Sequence, residues 1–241
     1  EYMPVSIASS IHLNGRSGTF GVYSGQAGPG GWNSGRFLAN SDFPNTPILA
    51  LSGMGPCGGK ECDNLINGSA GGSHGGFGSP GSENGLTGNP YGDSNLTHLI
   101  GGSGGARPGG VWVHAGGGGG AISILAQGDF TLEQNTSISV NGGLGGFDGE
   151  LGGGGGAGGS IRIEARNITN HGLLRANGGN ASMNGGAGGG GRIALITEGT
   201  LLEGNVSVSA GENNISGASL NAQDGVISRI TSPTINSIED I

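Results

Sequence analysis

Short strands of alternating apolar and polar residues recur through the second half of the chain, each beside a run of glycine. Ile122-Ser123-Ile124, Ile161-Arg162-Ile163 and Val206-Ser207-Val208 show the alternation. A period of two is typical of a β-strand with one buried face. No segment sustains the 3.6-residue period of an amphipathic helix, so the pattern predicts an all-β fold with few helices.

Three units repeat the same order of elements: a glycine run, an alternating strand, a turn, a second alternating strand and a glycine turn. The first strands contain Ile122, Ile161 and Ile193, which lie 39 (161 − 122) and 32 (193 − 161) positions apart. One unit cannot bury its apolar face alone, whereas stacked units bury a continuous column of Ile, Val and Leu. The sequence therefore predicts a glycine-rich parallel β-solenoid (β-helix) with long glycine loops.

The repeats are clearest over residues 110–241, and no linker interrupts the chain. Residues 1–54 are less regular and carry scattered aromatic residues, so we interpret them as an end cap or an irregular first part. Residues 55–110 are dominated by Gly, Ser, Asn and Pro. We predict one continuous solenoid domain over residues 1–241.

Glycine accounts for 60 of the 241 residues, against an average usage of about 7%. Each ordered glycine loses more backbone entropy than any other residue. A run such as Gly152–Gly156 must therefore gain something that side chains would prevent. We predict close backbone approach, as in polyglycine or polyproline-II-like segments packed side by side.

The chain is acidic, with a formal net charge of −8 and an isoelectric point near 4.9. It lacks the basic footprint of a nucleic-acid-binding protein and the basic cluster that attracts anionic lipids. No apolar stretch approaches the roughly 18 residues of a membrane span. We therefore expect neither a nucleic-acid partner nor a membrane span.

Asparagine in the N-glycosylation pattern Asn-x-Ser/Thr is frequent along the chain. Because glycans attach at the surface of secreted proteins, the sequons favour an extracellular or cell-surface glycoprotein that carries covalent glycans and no cofactor. Asn135 and Asn205 are expected at equivalent places, just before the second strands of their repeats. The alternative is a secreted bacterial solenoid whose asparagines only occupy turns. The candidate glycosylation sites are Asn67, Asn95, Asn135, Asn167, Asn180, Asn205 and Asn214.

The two cysteines, Cys57 and Cys62, are five positions apart. A local disulfide that closes a short turn is the favoured interpretation for a secreted chain, and two reduced thiols are the alternative. A zinc site would require a second Cys/His pair that the sequence does not provide.

The sequence predicts no enzyme. A polysaccharide lyase or hydrolase on a β-helix is the least favoured reading, because it needs acidic or basic residues clustered on one face. Arg162 and Glu164 share a face of one strand and are interpreted as a solvated ion pair. Asp148 and Glu150 lie in a stretch that loosely resembles the repeat of a calcium-binding nonapeptide roll. The match is off by one residue and occurs once, whereas such a roll needs tandem copies. Together with Asp93 these two residues are weak calcium candidates, and no metal site is predicted.

Several glycine-rich motifs follow one another in a particular order over residues 60–215. They are Gly71-Gly-Ser-His74-Gly-Gly, Pro90-Tyr91-Gly92-Asp93, Gly101-Gly-Ser-Gly-Gly and the tandem Ser-Ile-x-Ile and x-Asn-Gly-Gly units. This order resembles the large glycine-rich extracellular proteins of eukaryotic microbes and plants. These include surface adhesins and mastigoneme-like filament proteins of flagellar hairs. The resemblance implies a repetitive, glycosylated, secreted structural protein.

From these observations we expect a structural subunit of a glycosylated extracellular filament or cell-surface coat. Its partners would be copies of itself or related subunits, joined head to tail through strand edges at the solenoid ends. The alternating residues 226–238 are expected to add a strand to a neighbour. The alternative is a carbohydrate-binding surface adhesin that stacks sugars on Trp32, Tyr91 or Trp112.

Overall fold

The structure is a computed structural model of the chain. It describes most of the first half and nearly all of the second half, and the account below concerns only these residues. The described residues are 3–19, 25–35, 52–60, 69–81, 86–108, 113–147, 149, 151–213 and 221–231.

Twelve short β-strands of the described residues form three parallel sheets of four strands each. Sheet 1 contains, in spatial order, β1 (Val5–Ile7), β4 (Phe130–Leu132), β7 (Ile168–Asn170) and β10 (Leu201–Leu202). Sheet 2 contains β2 (Ile11–His12), β5 (Ser137–Ser139), β8 (Leu173–Arg175) and β11 (Asn205–Ser207). Sheet 3 contains β3 (Ala121–Leu125), β6 (Ser160–Ala165), β9 (Arg192–Thr197) and β12 (Val226–Thr231).

Each strand pairs with the equivalent strand of the neighbouring unit, so the same sequence position recurs along a sheet. In sheet 3, Ile122 aligns with Ile161, Ile161 with Ile193, and Ile193 with Ile227. The inward residues of all three sheets form one apolar core, in which Phe130, Leu132, Ile138, Ile161, Ile163, Ile168, Leu174, Ile193 and Leu195 are fully buried. The alternation of the strands is thus explained by one face turned to this core.

The predictions of an all-β fold and of parallel strands are confirmed, and the three sheets are compatible with a β-solenoid. Each unit contains three strands rather than the two that the sequence suggested. The missed strands β4, β7 and β10 have two or three residues, too few to show a period. The first unit also joins the stack, since β1 pairs with β4 and β2 with β5.

The glycine segments run side by side and are joined by backbone hydrogen bonds in what we call the glycine array. Its segments are residues 13–18, 25–35, 53–59, 69–79, 101–107, 113–121, 141–146, 152–159, 176–181 and 185–191. The array occupies the space beside the sheets and connects units that are distant in sequence.

Residues 152–159 lie inside the array and contact six neighbouring segments. Their amides donate in turn to three segments and return to the first after three residues, which is the period of a polyproline II helix. Gly153 and Gly156 donate to residues 146 and 143, Gly154 and Ala157 to residues 106 and 103, and Gly155 and Gly158 to residues 186 and 189. Their carbonyls accept from three further segments, through Gly72, Gly116 and Gly179.

This packing leaves no room for side chains at the glycine positions. A Cβ atom added to Gly154 would lie 2.0 Å from the carbonyl oxygen of Ala70, and one added to Gly156 would lie 2.1 Å from that of Gly117. Real Cβ contacts essentially never fall below 3.0 Å. The glycine runs therefore allow main chains to approach closely, as the sequence analysis predicted.

Candidate functional site

A buried polar cluster lies where the glycine array meets sheet 3, and His74 is at its centre. His74 is fully buried, and its Nδ1 lies 2.7 Å from the carbonyl oxygen of Gly158. Because a carbonyl oxygen can only accept, Nδ1 carries the hydrogen and Nε2 carries the lone pair. Nε2 is buried and has no hydrogen-bond partner.

Tyr91 covers one side of the imidazole. The two ring centroids are 4.8 Å apart, and the Tyr91 amide donates to the carbonyl of His74 at 2.9 Å. The Tyr91 hydroxyl donates to the Gly101 carbonyl at 2.7 Å and accepts from Ser103 Oγ at 2.9 Å. Burial raises the pKa of Tyr91 far above its usual range, so the phenol stays neutral. The Cys57 amide donates to Ser103 Oγ at 3.3 Å.

Arg192, the first residue of β9, completes the cluster. Its Nε donates to the Tyr91 carbonyl at 2.7 Å. Gly92 has a φ of 83°, and a Cβ there would lie 3.3 Å from Arg192 Nε and 3.8 Å from His74 Nε2. Burial lowers the pKa of His74 to about 4. The hydrogen bond that Nδ1 donates to the Gly158 carbonyl opposes this shift, and the Arg192 charge adds to it. His74 is therefore a buried neutral base at neutral pH.

Residues 91–100, which we call the cover loop, lie across the outward side chains of sheet 3. Arg162 Nε donates to the Asn95 carbonyl at 3.3 Å, and Ser160 Oγ donates to the Ile100 carbonyl at 2.6 Å. Within the loop, the Asp93 carboxylate accepts hydrogen bonds from Asn95, Thr97 and His98, which hold its pKa well below the usual range. Leu96 is almost fully buried.

Chemically, the cluster offers a base that can take up a proton but is closed to solvent. His74 contacts Gly158 and Tyr91. Ser103 is hydrogen-bonded to Tyr91, and Cys57 to Ser103. From the sequence, Tyr91 was a candidate sugar platform and Cys57 a disulfide candidate, whereas His74 stood out only as part of a glycine-rich motif. Arg192 is 101 positions from Tyr91, and nothing in the sequence links them.

Two further buried polar residues, Arg107 and His114, were also missed. Arg107 is fully buried, and its Nε donates to the Val113 carbonyl at 2.9 Å. Burial lowers the pKa of Arg107 to about 10. His114 is likewise fully buried, and its carbonyl accepts from Gly146. Both lie among low-complexity glycine residues, so no local pattern indicated that they would be buried.

A shallow cleft of about 180 Å³ follows the ends of β3, β6 and β9. It is lined by equivalent residues of three successive units, including Gln127, Arg166 and Glu198. Its volume is below the roughly 300–1,000 Å³ of typical ligand pockets. Arg166 is paired with Asp129 at 3.1 Å.

The predicted glycosylation sites differ in their surroundings. Asn95, Asn135, Asn180 and Asn205 are exposed, whereas Asn67 and Asn214 lie outside the described residues. Asn167 is half-buried, and its Nδ2, the atom that would carry a glycan, donates to Asp129 Oδ1 at 2.8 Å. Its Oδ1 accepts from the Thr200 amide at 2.7 Å. Glycan occupancy stays a prediction at all seven positions.

The sheet register does not place Asn135 and Asn205 at equivalent positions. Asn205 aligns with Leu173, which aligns with Ser137, two residues after Asn135. The equivalence expected from the sequence is therefore wrong, because the turn before the second strand varies in length between units.

A ladder of asparagines at the turn after sheet 2 was missed. Asn14 Oδ1 accepts from the Asn141 amide, Asn141 Oδ1 from the Asn177 amide, and Asn177 Oδ1 from the Ser209 amide, at 2.7 to 2.9 Å. The recurring Asn-Gly after a strand was the sequence signal of this ladder. Each rung ties one unit to the next through a side chain.

Other predicted positions are only partly described. Cys57 is half-buried, and burial raises the pKa of its thiol. Cys62 lies outside the described residues, so the disulfide stays a prediction. Asp148 and Glu150 also lie outside them. Asp93 uses its carboxylate within the cover loop, and the described residues contain no group of three potential metal ligands.

The expected surface ion pair is present, since Arg162 Nη2 contacts Glu164 Oε2 on the outward face of β6. Of the predicted sugar platforms, Trp32 is 40% exposed and Trp112 lies outside the described residues. Tyr91 is half-buried, its ring packs on His74, and its hydroxyl is hydrogen-bonded to Gly101.

Comparison of the chain with models of protein families, with curated proteins and with solved structures found no match. In the described part of the chain, no helix is long and apolar enough to cross a membrane.

Proposed function

We propose that the chain is a structural subunit of a glycosylated extracellular filament or cell-surface coat. The observation that carries the proposal is the glycine array, in which main chains from distant parts of the sequence are hydrogen-bonded at a spacing that excludes side chains. Such packing fixes the relative positions of many segments at once. This suits a protein whose task is to hold a shape.

The parallel sheets support a solenoid as the finer description of this fold. In a solenoid of this kind, the three strands of each unit and the glycine segment that follows them would form one coil. The parallel register between equivalent strands supports this description. The core that runs through all three sheets supports this closure.

The two ends of the sheet stack provide surfaces for assembly. Strands β1, β2 and β3 lie at one end and β10, β11 and β12 at the other, and each pairs on one side only among the described residues. Unpaired edges of parallel strands can continue a sheet into another copy. A head-to-tail contact of this kind extends without closing and gives a filament.

Exposed sequons support an extracellular location and a role for glycans. Asn95, Asn135, Asn180 and Asn205 lie on loops, strand ends and turns rather than in the core. Glycans there would shield the sides of the stack. The second candidate function, a carbohydrate-binding adhesin, is favoured by one described feature, the exposed ring of Trp32.

Immunogold electron microscopy of cells that make the protein tests the proposal. Labelling along ordered filaments or across a continuous coat is the expected result. Label confined to the cytoplasm, or a soluble secreted monomer that binds a glycan array, would contradict a structural role. Mass spectrometry before and after glycan removal tests the glycoprotein part separately.

A further inference from the structure

The cover loop is attached to sheet 3 by a small number of contacts that converge near His74. Its first residue, Tyr91, is held by Arg192, by Gly101 and by the backbone and ring of His74. Farther along, Asn95 and Ile100 each accept one hydrogen bond from an outward side chain of β6. Ala194, on the outward face of β9 two residues after Arg192, is fully buried.

The surroundings of His74 suit a neutral imidazole and oppose a charged one. Nδ1 already donates to Gly158, and Nε2 has no acceptor within hydrogen-bond distance. On the side of β9, the His74 imidazole faces the charged group of Arg192. On the side of the cover loop, it faces the neutral phenol of Tyr91. Asp93 lowers the positive potential at Arg192, but it lies beyond the 4.0 Å of an ion pair and its oxygens are used within the loop.

We propose that protonation of His74 releases the cover loop from sheet 3, which makes the loop an acid-sensitive closure over the outward face of β6 and β9. A proton on Nε2 places a second positive charge beside Arg192, with no acceptor for the new N–H. Opening at Tyr91 removes both costs. It exposes the imidazole to water, which can accept from the new N–H, and it separates the charge of His74 from that of Arg192.

The pH range follows from linkage between proton binding and opening. His74 has a pKa of about 4 in the closed state and an ordinary value of about 6.5 once exposed. Above pH 6.5 neither state binds the proton, and closure is fully favoured. Between pH 6.5 and 4 only the open state binds the proton. The equilibrium constant for opening therefore rises about tenfold for each unit by which the pH falls. Below pH 4 both states are protonated and the dependence levels off.

The loop keeps its own conformation while it opens. Its internal turn is built on Asp93, whose pKa lies well below the usual range because of the hydrogen bonds from Thr97, His98 and Asn95. This carboxylate stays ionised throughout the range in which His74 titrates. The proposal therefore predicts movement of an intact loop, distinct from general acid unfolding.

Hydrogen exchange of the full chain between pH 7 and 3.5, corrected for intrinsic exchange rates, tests the proposal. Amides of the cover loop should lose protection about tenfold per pH unit below pH 6.5, while amides of β6 and β9 stay protected. His74→Asn keeps a donor toward Gly158 and does not titrate, so its loop should stay protected at pH 4. His98→Asn, which removes an exposed histidine of the same loop, should behave like the unchanged chain.

A titration of the His74 ring by NMR in the unchanged chain keeps the test decisive if His74→Asn does not fold. The ring should titrate over the same pH range as the loss of loop protection. Loop protection that persists to pH 3.5, or that is lost equally in His74→Asn, would overturn the proposal. So would a ring that titrates without any change in the loop.

Discussion

At the scale of single residues, glycine is selected here by the space around its α-carbon. A Cβ atom added at Gly119 would lie 1.9 Å from the carbonyl oxygen of Val140, and one added at Gly154 would lie 2.0 Å from that of Ala70. The entropy lost on ordering glycine is offset by backbone hydrogen bonds to several neighbours at once. Small side chains appear only where the array leaves room, as at the buried Ala157 and Ala187.

Gly156→Ala should destabilise the protein severely, because the new Cβ would lie 2.1 Å from the Gly117 carbonyl oxygen. We expect a loss of more than about 4 kcal/mol in the free energy of unfolding, measured by urea denaturation. Gly149→Ala is the control: nothing lies within 4 Å, and its φ of 107° limits the cost to backbone strain of about 1–3 kcal/mol. Equal effects of the two substitutions would contradict the packing argument.

Asn167 should remain unglycosylated while Asn180 carries a glycan. The Nδ2 of Asn167 donates to Asp129 and its Oδ1 accepts from Thr200, so the amide is fixed between two units. Asn180 is exposed, and among the described residues its side chain is engaged only through Oδ1, by the Glu212 amide. Glycopeptide mass spectrometry of the native protein measures both occupancies. Full occupancy of Asn167 would show that its hydrogen bonds with Asp129 and Thr200 do not form before modification.

The sequence predicted residues of the sheets much better than residues of the buried cluster. The alternation of Ile161 and Ile163 with Arg162 and Glu164 predicts that the two isoleucines are buried. The contact of His74 with Tyr91 and Arg192 depends instead on how glycine segments fold back across the sheet. Glycine has no side chain to encode such a contact, so no local pattern reports it.

At the scale of elements, strand length decided what the sequence revealed. The six-residue strands β6 and β9 carry enough positions for a period of two, and both were predicted. The two-residue β10 carries none, and its place follows only from pairing with β7. Turn chemistry was more informative, because the recurring Asn-Gly marks the ladder that ties sheet 2 together.

Asn141→Ala should lower the free energy of unfolding by about 1–3 kcal/mol, because the Asn177 amide would lose its acceptor and buried donors without partners are costly. Asn205→Ala is the matched control, since that side chain is exposed and should change stability by less than about 0.5 kcal/mol. Thermal unfolding of both variants provides the comparison. An unchanged Asn141→Ala protein would remove the ladder from the account of stability.

The last strand of sheet 3 carries a charge where earlier strands are apolar. Arg229 aligns with Leu195, which aligns with the buried Ile163. Arg229 forms an ion pair with Glu203, the residue directly after β10. A charge at a register position that is apolar in the inner strands discourages addition of another strand. Under the proposed assembly, we therefore expect this pair to limit how readily copies join at this end.

Replacing both partners by leucine, in Glu203→Leu with Arg229→Leu, should strengthen association of copies at this end. The change turns a polar end into an apolar one, and we expect at least about tenfold tighter association by sedimentation velocity. Arg162→Leu with Glu164→Leu is the control, because that pair faces outward on a central strand. Equal association of the two double variants would argue against the end of the stack as the joining surface.

At the scale of the whole molecule, the sheets and the glycine array are two parts of one repeating arrangement. Every unit contributes strands to the sheets and a glycine segment to the array, so a segment such as 152–159 is bonded to neighbours on six sides. Long glycine segments are therefore ordered structure rather than connections between strands. The sequence predicted the stacking of units, whereas the number of neighbours of each glycine segment is a property of the assembled molecule.

Hydrogen exchange of glycine amides, followed by NMR on protein labelled with ¹⁵N-glycine, tests this claim most directly. The account predicts that amides of residues 153–159 and 188–191 exchange as slowly as those of the central strands β6 and β9. Exchange of these glycines at the rate of an unstructured chain, beside protected strands, would contradict the glycine array and the structural role built on it.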